Sequence, residues 1–224
     1  MPSFEGLLLV LLLLLLAAGG LGLWTTLRQP SGSAALQALG QGRFTDALEA
    51  ARTDARAGRD ELYVGAVAAK HLLELDRARG LLDRVLARDP ADGEAWLERG
   101  LVAAYAGDFA AADAAFARVE PLRSDLLESL TLHRAWLALR RGDAGTARRL
   151  FGEIEAPLEN KLRSDLGSGE PLFAEWFLQA AALWQAFGNT GNEEDLEKAE
   201  WARREGRASA PESRLYEITA APLQ

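Results

Sequence analysis

Residues 105–121 read YAGDFAAADAAFARVEP, and the spacing of their side chains decides the fold. A Gly-Asp turn at Gly107 and Asp108 leads into a stretch where Phe109, Ala112, Phe116 and Val119 fall three or four residues apart. That interval places them on one helical stripe. The same grammar returns as LRRGDAGTARRLFGEIEAP at 139–157 and as LGQGRFTDALEAARTDA at 39–55. With Ala112 as reference, Ala47, Ala78 and Ala147 hold equivalent places, separated by 31, 34 and 35 residues. A period of that length is the period of a helix pair.

Other positions obey the same register. Five residues before three of the alanines stand Gly42, Gly107 and Gly142, where a chain leaving one helix needs an unhindered turn. Three before come Phe44, Leu75, Phe109 and Ala144, and four after come Ala51, Leu82, Phe116 and Phe151. Seven after, in the last three units, are Val85, Val119 and Ile154. Twelve before is always a small residue, Ala35, Ala66, Gly100 or Ala135, which predicts close approach of paired helices. Trp96 precedes Gly100 by one turn, and Pro90 ends the preceding unit because proline cannot continue a helix interior.

This pattern resembles the tetratricopeptide repeat (TPR), with a large residue, a small residue one turn later, a glycine turn, and then Ala and Phe/Leu one turn apart. The resemblance covers about residues 31–160 and is strongest from Arg59 to Ser124. It implies an all-α, TPR-like α-solenoid of about four to five hairpins. The departures are a short first unit with only Ala51 at a large-residue position, Leu73 in place of the second turn glycine, and a closing proline in one unit alone. Pro157, Gly167, Gly169 and Pro171 are expected to interrupt the period over 155–171. Beyond them LFAEWFLQAAALWQAF (172–187) and EEDLEKAEWARREGR (193–207) read as a fifth, divergent hairpin whose polar face closes the stack. The tail is expected to be frayed or loosely docked.

The amino-terminal end has a different character. Leu7 to Trp24 is an uncharged apolar run that as a helix rises about 27 Å, close to the roughly 30 Å of a hydrocarbon core. Trp24 and Arg28 sit where an indole and a snorkelling cation favour the headgroup level. These features predict a single transmembrane helix. A leader cleaved after Ala17-Ala18-Gly19 is the competing reading, disfavoured because MPSFEG carries Glu5 and no basic residue. Arg28 and Arg43 after the run place the repeat domain in the cytoplasm by the positive-inside rule, with an extracytoplasmic domain as the alternative. Ala18 and Gly22 form a small-xxx-small pair that would let two spans approach in a homo-oligomer. The expected organisation is a tail (1–6), the span (7–24), a linker (25–34), the repeat domain (35–206) and a carboxyl-terminal tail (207–224).

A net charge of −8 argues against a nucleic-acid partner. The chain has no cysteine, which excludes disulfides, thiolate metal sites and a cysteine nucleophile. His71 and His133 lie far apart in sequence without HExxH spacing, so neither a metal nor a catalytic role is expected of them, and no cofactor is implied.

In the family that the chain resembles, partner-binding positions flank the small residue of each first helix. Carried over, they are Tyr63, Val67, Lys70 and His71, then Leu97, Leu101 and Tyr105, then Leu132, Trp136, Leu139 and Arg140. The carboxylate clamp of chaperone-binding members is missing, since Tyr63, Val67 and Leu97 stand at its places. The resemblance therefore implies a membrane-anchored, non-enzymatic adaptor whose concave aromatic and aliphatic groove takes a peptide or an amphipathic helix. The alternatives are an envelope-facing accessory factor in secretion or assembly and, more remotely, an enzyme on a helical scaffold.

Overall fold

In the computed structural model, residues 31–119, 121–164, 171–188 and 193–219 are described. Every regular element among them is helical. Four hairpins follow one another: α1 (Ser31–Gly40) with α2 (Phe44–Ala50), α3 (Arg59–His71) with α4 (Leu75–Arg88), α5 (Gly93–Tyr105) with α6 (Phe109–Val119), and α7 (Leu127–Arg140) with α8 (Ala144–Arg163). A fifth pairs α9 (Ala174–Gly188) with α10 (Glu193–Ser209), and the short α11 (Tyr216–Thr219) ends the described chain. Each hairpin packs on the next, and the first helices α1, α3, α5 and α7 are successive neighbours.

The four reference alanines and the residues at the small position are buried, as the register requires. At Gly100 a Cβ would lie inside the Phe116 ring, so this pair of helices meets at a distance that only glycine allows. The turn residues are left-handed in every unit: Gly42 at φ +69°, Gly107 at +80°, Gly142 at +82°, and Leu73 at +60° in the unit without a glycine. In each, the following N–H closes onto the carbonyl five residues back, at 3.0 Å from Arg43 and 2.9 Å from Glu74, Asp108 and Asp143. These bonds satisfy carbonyls that a helix end would leave open. Leucine has no conformational preference for that region, yet Leu73 is held there by packing against the core and by the same bond.

Four sequence expectations are corrected. The interruption expected over 155–171 is not made by Pro157 ending a helix: α8 runs through it to Arg163 and buries Leu158 and Leu162 completely, and the next first helix starts only at Ala174. That burial offsets the backbone hydrogen bond a mid-helix proline cannot make. The tail is not loose through 219, since Ala210, Ser213, Leu215 and Thr219 are buried. The single-pass membrane localisation does not stand: among the described residues no helix is long and apolar enough to cross a membrane. The run Leu7–Trp24, on which that expectation rested, lies outside the described residues. Helix α1 starts at Ser31, so the last four residues of the expected linker are already helical.

The last hairpin returns to the first. A Cβ at Gly42 would lie 3.0 Å from Pro171 Cβ, and the Thr45 N–H donates to Glu212 at 3.0 Å. The stack is therefore curled upon itself, with α9 against α7 and the 210–219 segment across the carboxyl-terminal end of α3.

Candidate functional site

The eleven residues expected to line an open groove lie instead against the chain's own carboxyl-terminal segment or in a cleft beside it. Nine of them are buried, and Tyr63 and Arg140 are half-buried. Leu132, Trp136 and Leu139 belong to one apolar cluster with Phe177 and Leu178 of α9 and Leu215 of the tail. The Tyr105 hydroxyl accepts from Gln179 at 3.1 Å, and Arg140 donates to the Ile218 carbonyl at 2.8 Å. The open trough expected from sequence is thus filled by the chain's own carboxyl-terminal helix and tail.

The seam between the repeats and this segment is polar. Lys70, at the end of α3 and 1% exposed, reaches Glu175 at 2.6 Å and Glu98 at 2.8 Å. Burial would strip its proton, but the two carboxylates outweigh that and hold the ammonium above its ordinary range. Burial would likewise raise Glu175, and the Lys70 charge overrides it, holding the carboxyl at about 2. Glu98 behaves oppositely: burial lifts it above the ordinary carboxylate range, with Lys70 opposing and Glu175 reinforcing the rise. One ammonium cannot fully compensate two buried carboxylates, and Glu175 has the better geometry. Lys70 approaches Glu98 off the hydrogen-bond line, so Glu98 Oε2 is buried without a hydrogen bond.

The two histidines flank this pair, both buried. His71 stacks flat on Phe44, with centroids 4.1 Å apart and an interplanar angle of 5°. Its Nδ1 shares a 2.9 Å hydrogen bond with Ser213, and its carbonyl accepts from the Arg214 N–H at 2.7 Å. Burial first, and the Lys70 charge second, drive its pKa down to about 3, so the ring is neutral. His133 hydrogen-bonds Ser129 through Nε2 at 3.0 Å and Gln179 through Nδ1 at 2.7 Å. Burial lowers its pKa as well.

Serine, imidazole and an orienting oxygen are the connectivity of a nucleophile and its base. Here the orienting group is a neutral amide, whose hydrogen bond favours the imidazolium, but burial is the larger effect and disfavours that cation. Ser129 is therefore not activated by this arrangement. No group of three or more potential metal ligands is found among the described residues.

What α9 leaves uncovered is a cleft of about 170 Å³ between α3, α5, α7 and the start of α9. Six of the eleven groove residues line it: Tyr63, Val67, Lys70, His71, Leu97 and Leu101. Leu39 of α1, Glu98, Ser129, His133, Glu175 and Trp176 complete the wall, and Leu172, 44% exposed, stands at its mouth.

Sequence reasoning missed Glu98, Ser129, Glu175, Gln179 and Ser213. A signal existed for two of them. Glu175 and Gln179 are four residues apart in LFAEWFLQAAALWQAF, a polar pair on one face of a helix whose other polar side chain is Gln185, and a pair so placed must find buried partners.

No protein-family model matches this chain, and no curated protein does. A solved structure described as "MamA MSR-1 C2" is similar over 79% of this chain and 94% of that one, with 16% sequence identity and a TM-score of 0.45. A likeness so remote carries no argument, and the repeat architecture rests on the register, turns and packing of the chain itself.

Proposed function

We propose that this chain is a non-enzymatic scaffold for protein–protein interaction, built as a TPR-like repeat domain over residues 35–206 with its carboxyl-terminal tail docked against it. The observation that carries this reading is the concave face, which already seats a helix in cis and keeps a cleft free beside it. A surface of successive first helices that accommodates α9 has the shape and apolar lining to accommodate a partner segment. Tyr63, Val67, Leu97 and Leu101 are the groove residues left to a partner, and the remaining ones serve the intramolecular contact.

The test is positional photo-crosslinking in cells with benzoylphenylalanine in the full-length chain. At Tyr63 or Leu172, on the cleft, a discrete protein adduct is expected. At Gly80 or Gly152, on exposed outer helix faces, none is expected. Equal labelling at outer positions, or no adduct at the cleft, would overturn the reading.

A further inference from the structure

We propose that the cleft is a receptor for the ammonium group of a lysine side chain presented by a protein partner. This inference rests on the reading of the concave face as a docking surface, and it names the chemistry the surface selects.

At the floor, Lys70 faces Glu98 and Glu175, and the imidazoles of His71 and His133 are engaged with Ser213, Ser129 and Gln179. With both carboxyls ionised, one cation against two carboxylates leaves the floor one positive charge short. Glu98 is where the deficit sits, because Glu175 takes the in-line hydrogen bond from Lys70 and a second contact from Gln179 at 3.4 Å. A carboxylate buried without its full complement of donors is costly, and a cationic donor entering the cleft would remove that cost.

Shape points the same way. Above the charged floor the walls are apolar, formed by Val67, Leu97 and Leu101, with Leu172 exposed at the mouth. An aliphatic stem ending in a cation matches this gradient, since such side chains lay their methylenes along apolar surface and carry the charge at the tip. The cleft volume of about 170 Å³ is more than ten times the roughly 10–15 Å³ that a single water requires.

The cations already near the mouth do not cancel the deficit. Arg59 lies over the Tyr63 ring at 4.5 Å but is neutralised by Asp92 and Glu94, and Lys161, 4.7 Å from the Trp176 ring centroid, is paired with Glu128 at 3.6 Å.

The experiment titrates the full-length chain with n-butylammonium, and separately with n-butanol, while following the methyl resonances of Val67, Leu97 and Leu101. Butylammonium is expected to shift them at concentrations about tenfold lower than butanol, as a charge-assisted hydrogen bond would give. The Glu98→Gln variant is expected to erase that preference. Equal potency of the two probes on the unaltered protein would overturn the inference, whatever the variant does. An unchanged preference in a folded Glu98→Gln variant would overturn it too. Cleft crosslinking without ammonium preference leaves the docking reading standing and sinks this one. Ammonium preference without crosslinking sinks the lysine-bearing partner and the docking reading together.

Discussion

The seams between successive hairpins and the seam between the repeats and the carboxyl-terminal segment are built from different chemistry. Within and between the repeat hairpins the contact is mainly apolar and steric: Gly100 admits Phe116 inside the third hairpin, Ala112 and Ala147 are fully buried, and ionic contacts such as Arg59 to Asp92 lie at the partly exposed periphery, with Lys70 to Glu98 as the buried exception. Between the repeats and the carboxyl-terminal segment, apolar packing is joined by buried polar pairs: Lys70 with Glu175, His133 with Gln179, Tyr105 with Gln179, and His71 with Ser213. Apolar seams tolerate small shifts. A buried ionised seam fixes one register, and its energy is lost abruptly when one partner is removed.

The sharpest way to break this comparison is Lys70→Met beside Arg59→Met. Removing Lys70 leaves Glu175 and Glu98 buried without their cation, and a loss of about 3–5 kcal/mol in denaturant unfolding is expected. Arg59 is 38% exposed, and its loss is expected to cost no more than about 1 kcal/mol. Equal effects would mean that the two seams do not differ.

Acid should open the two seams in a fixed order. The folded-state pKa of His71 is depressed from 6.5 to about 3, so the stability it contributes is fully present above about pH 6.5 and declines as pH falls toward 3. Glu175, depressed from 4.5 to about 2, adds a second decline in the same direction below 4.5. Hydrogen exchange measured between pH 7 and 4 is expected to show protection lost first in α9 and 210–219, while α5 to α8 stay protected. Simultaneous loss throughout would contradict the distinction.

Within the apolar seams the smallest effects separate glycines by their surroundings. Gly100→Ala is expected to destabilise by about 1–3 kcal/mol through its clash with Phe116, and Phe116→Leu in the same chain should recover part of the loss. Gly80, in an exposed helix interior with nothing near its Cβ direction, is expected to gain about 0.5–1 kcal/mol on change to alanine. Thermal melting of the three variants checks both.

The candidate site was half legible. Tyr63, Val67, Lys70, His71, Leu97 and Leu101 could be named because the partner-binding positions of the family that the chain resembles carry over onto its register, and they line the cleft. Their covering could not be read. LFAEWFLQAAALWQAF is apolar on nearly every side, so the same residues satisfy a terminal hairpin exposed at the end of a stack or one laid along its inner face. Only Glu175 and Gln179 mark the choice, and they do so through partners distant in the chain.

By itself the sequence determined the helix pairs, their register and the left-handed turns, since these depend on residues within about one repeat of each other: a glycine where φ is positive, a small side chain where backbones meet, an apolar stripe at helical intervals. The second turn is the exception: Leu73 departs from the glycine pattern and takes φ +60° through core packing and the Glu74 N–H bond. Tertiary structure alone decided that the concave face closes upon α9 and the tail. The bonds that close it span 105 residues from Lys70 to Glu175 and 142 from His71 to Ser213, and no local pattern encodes a contact made only after the stack has curled.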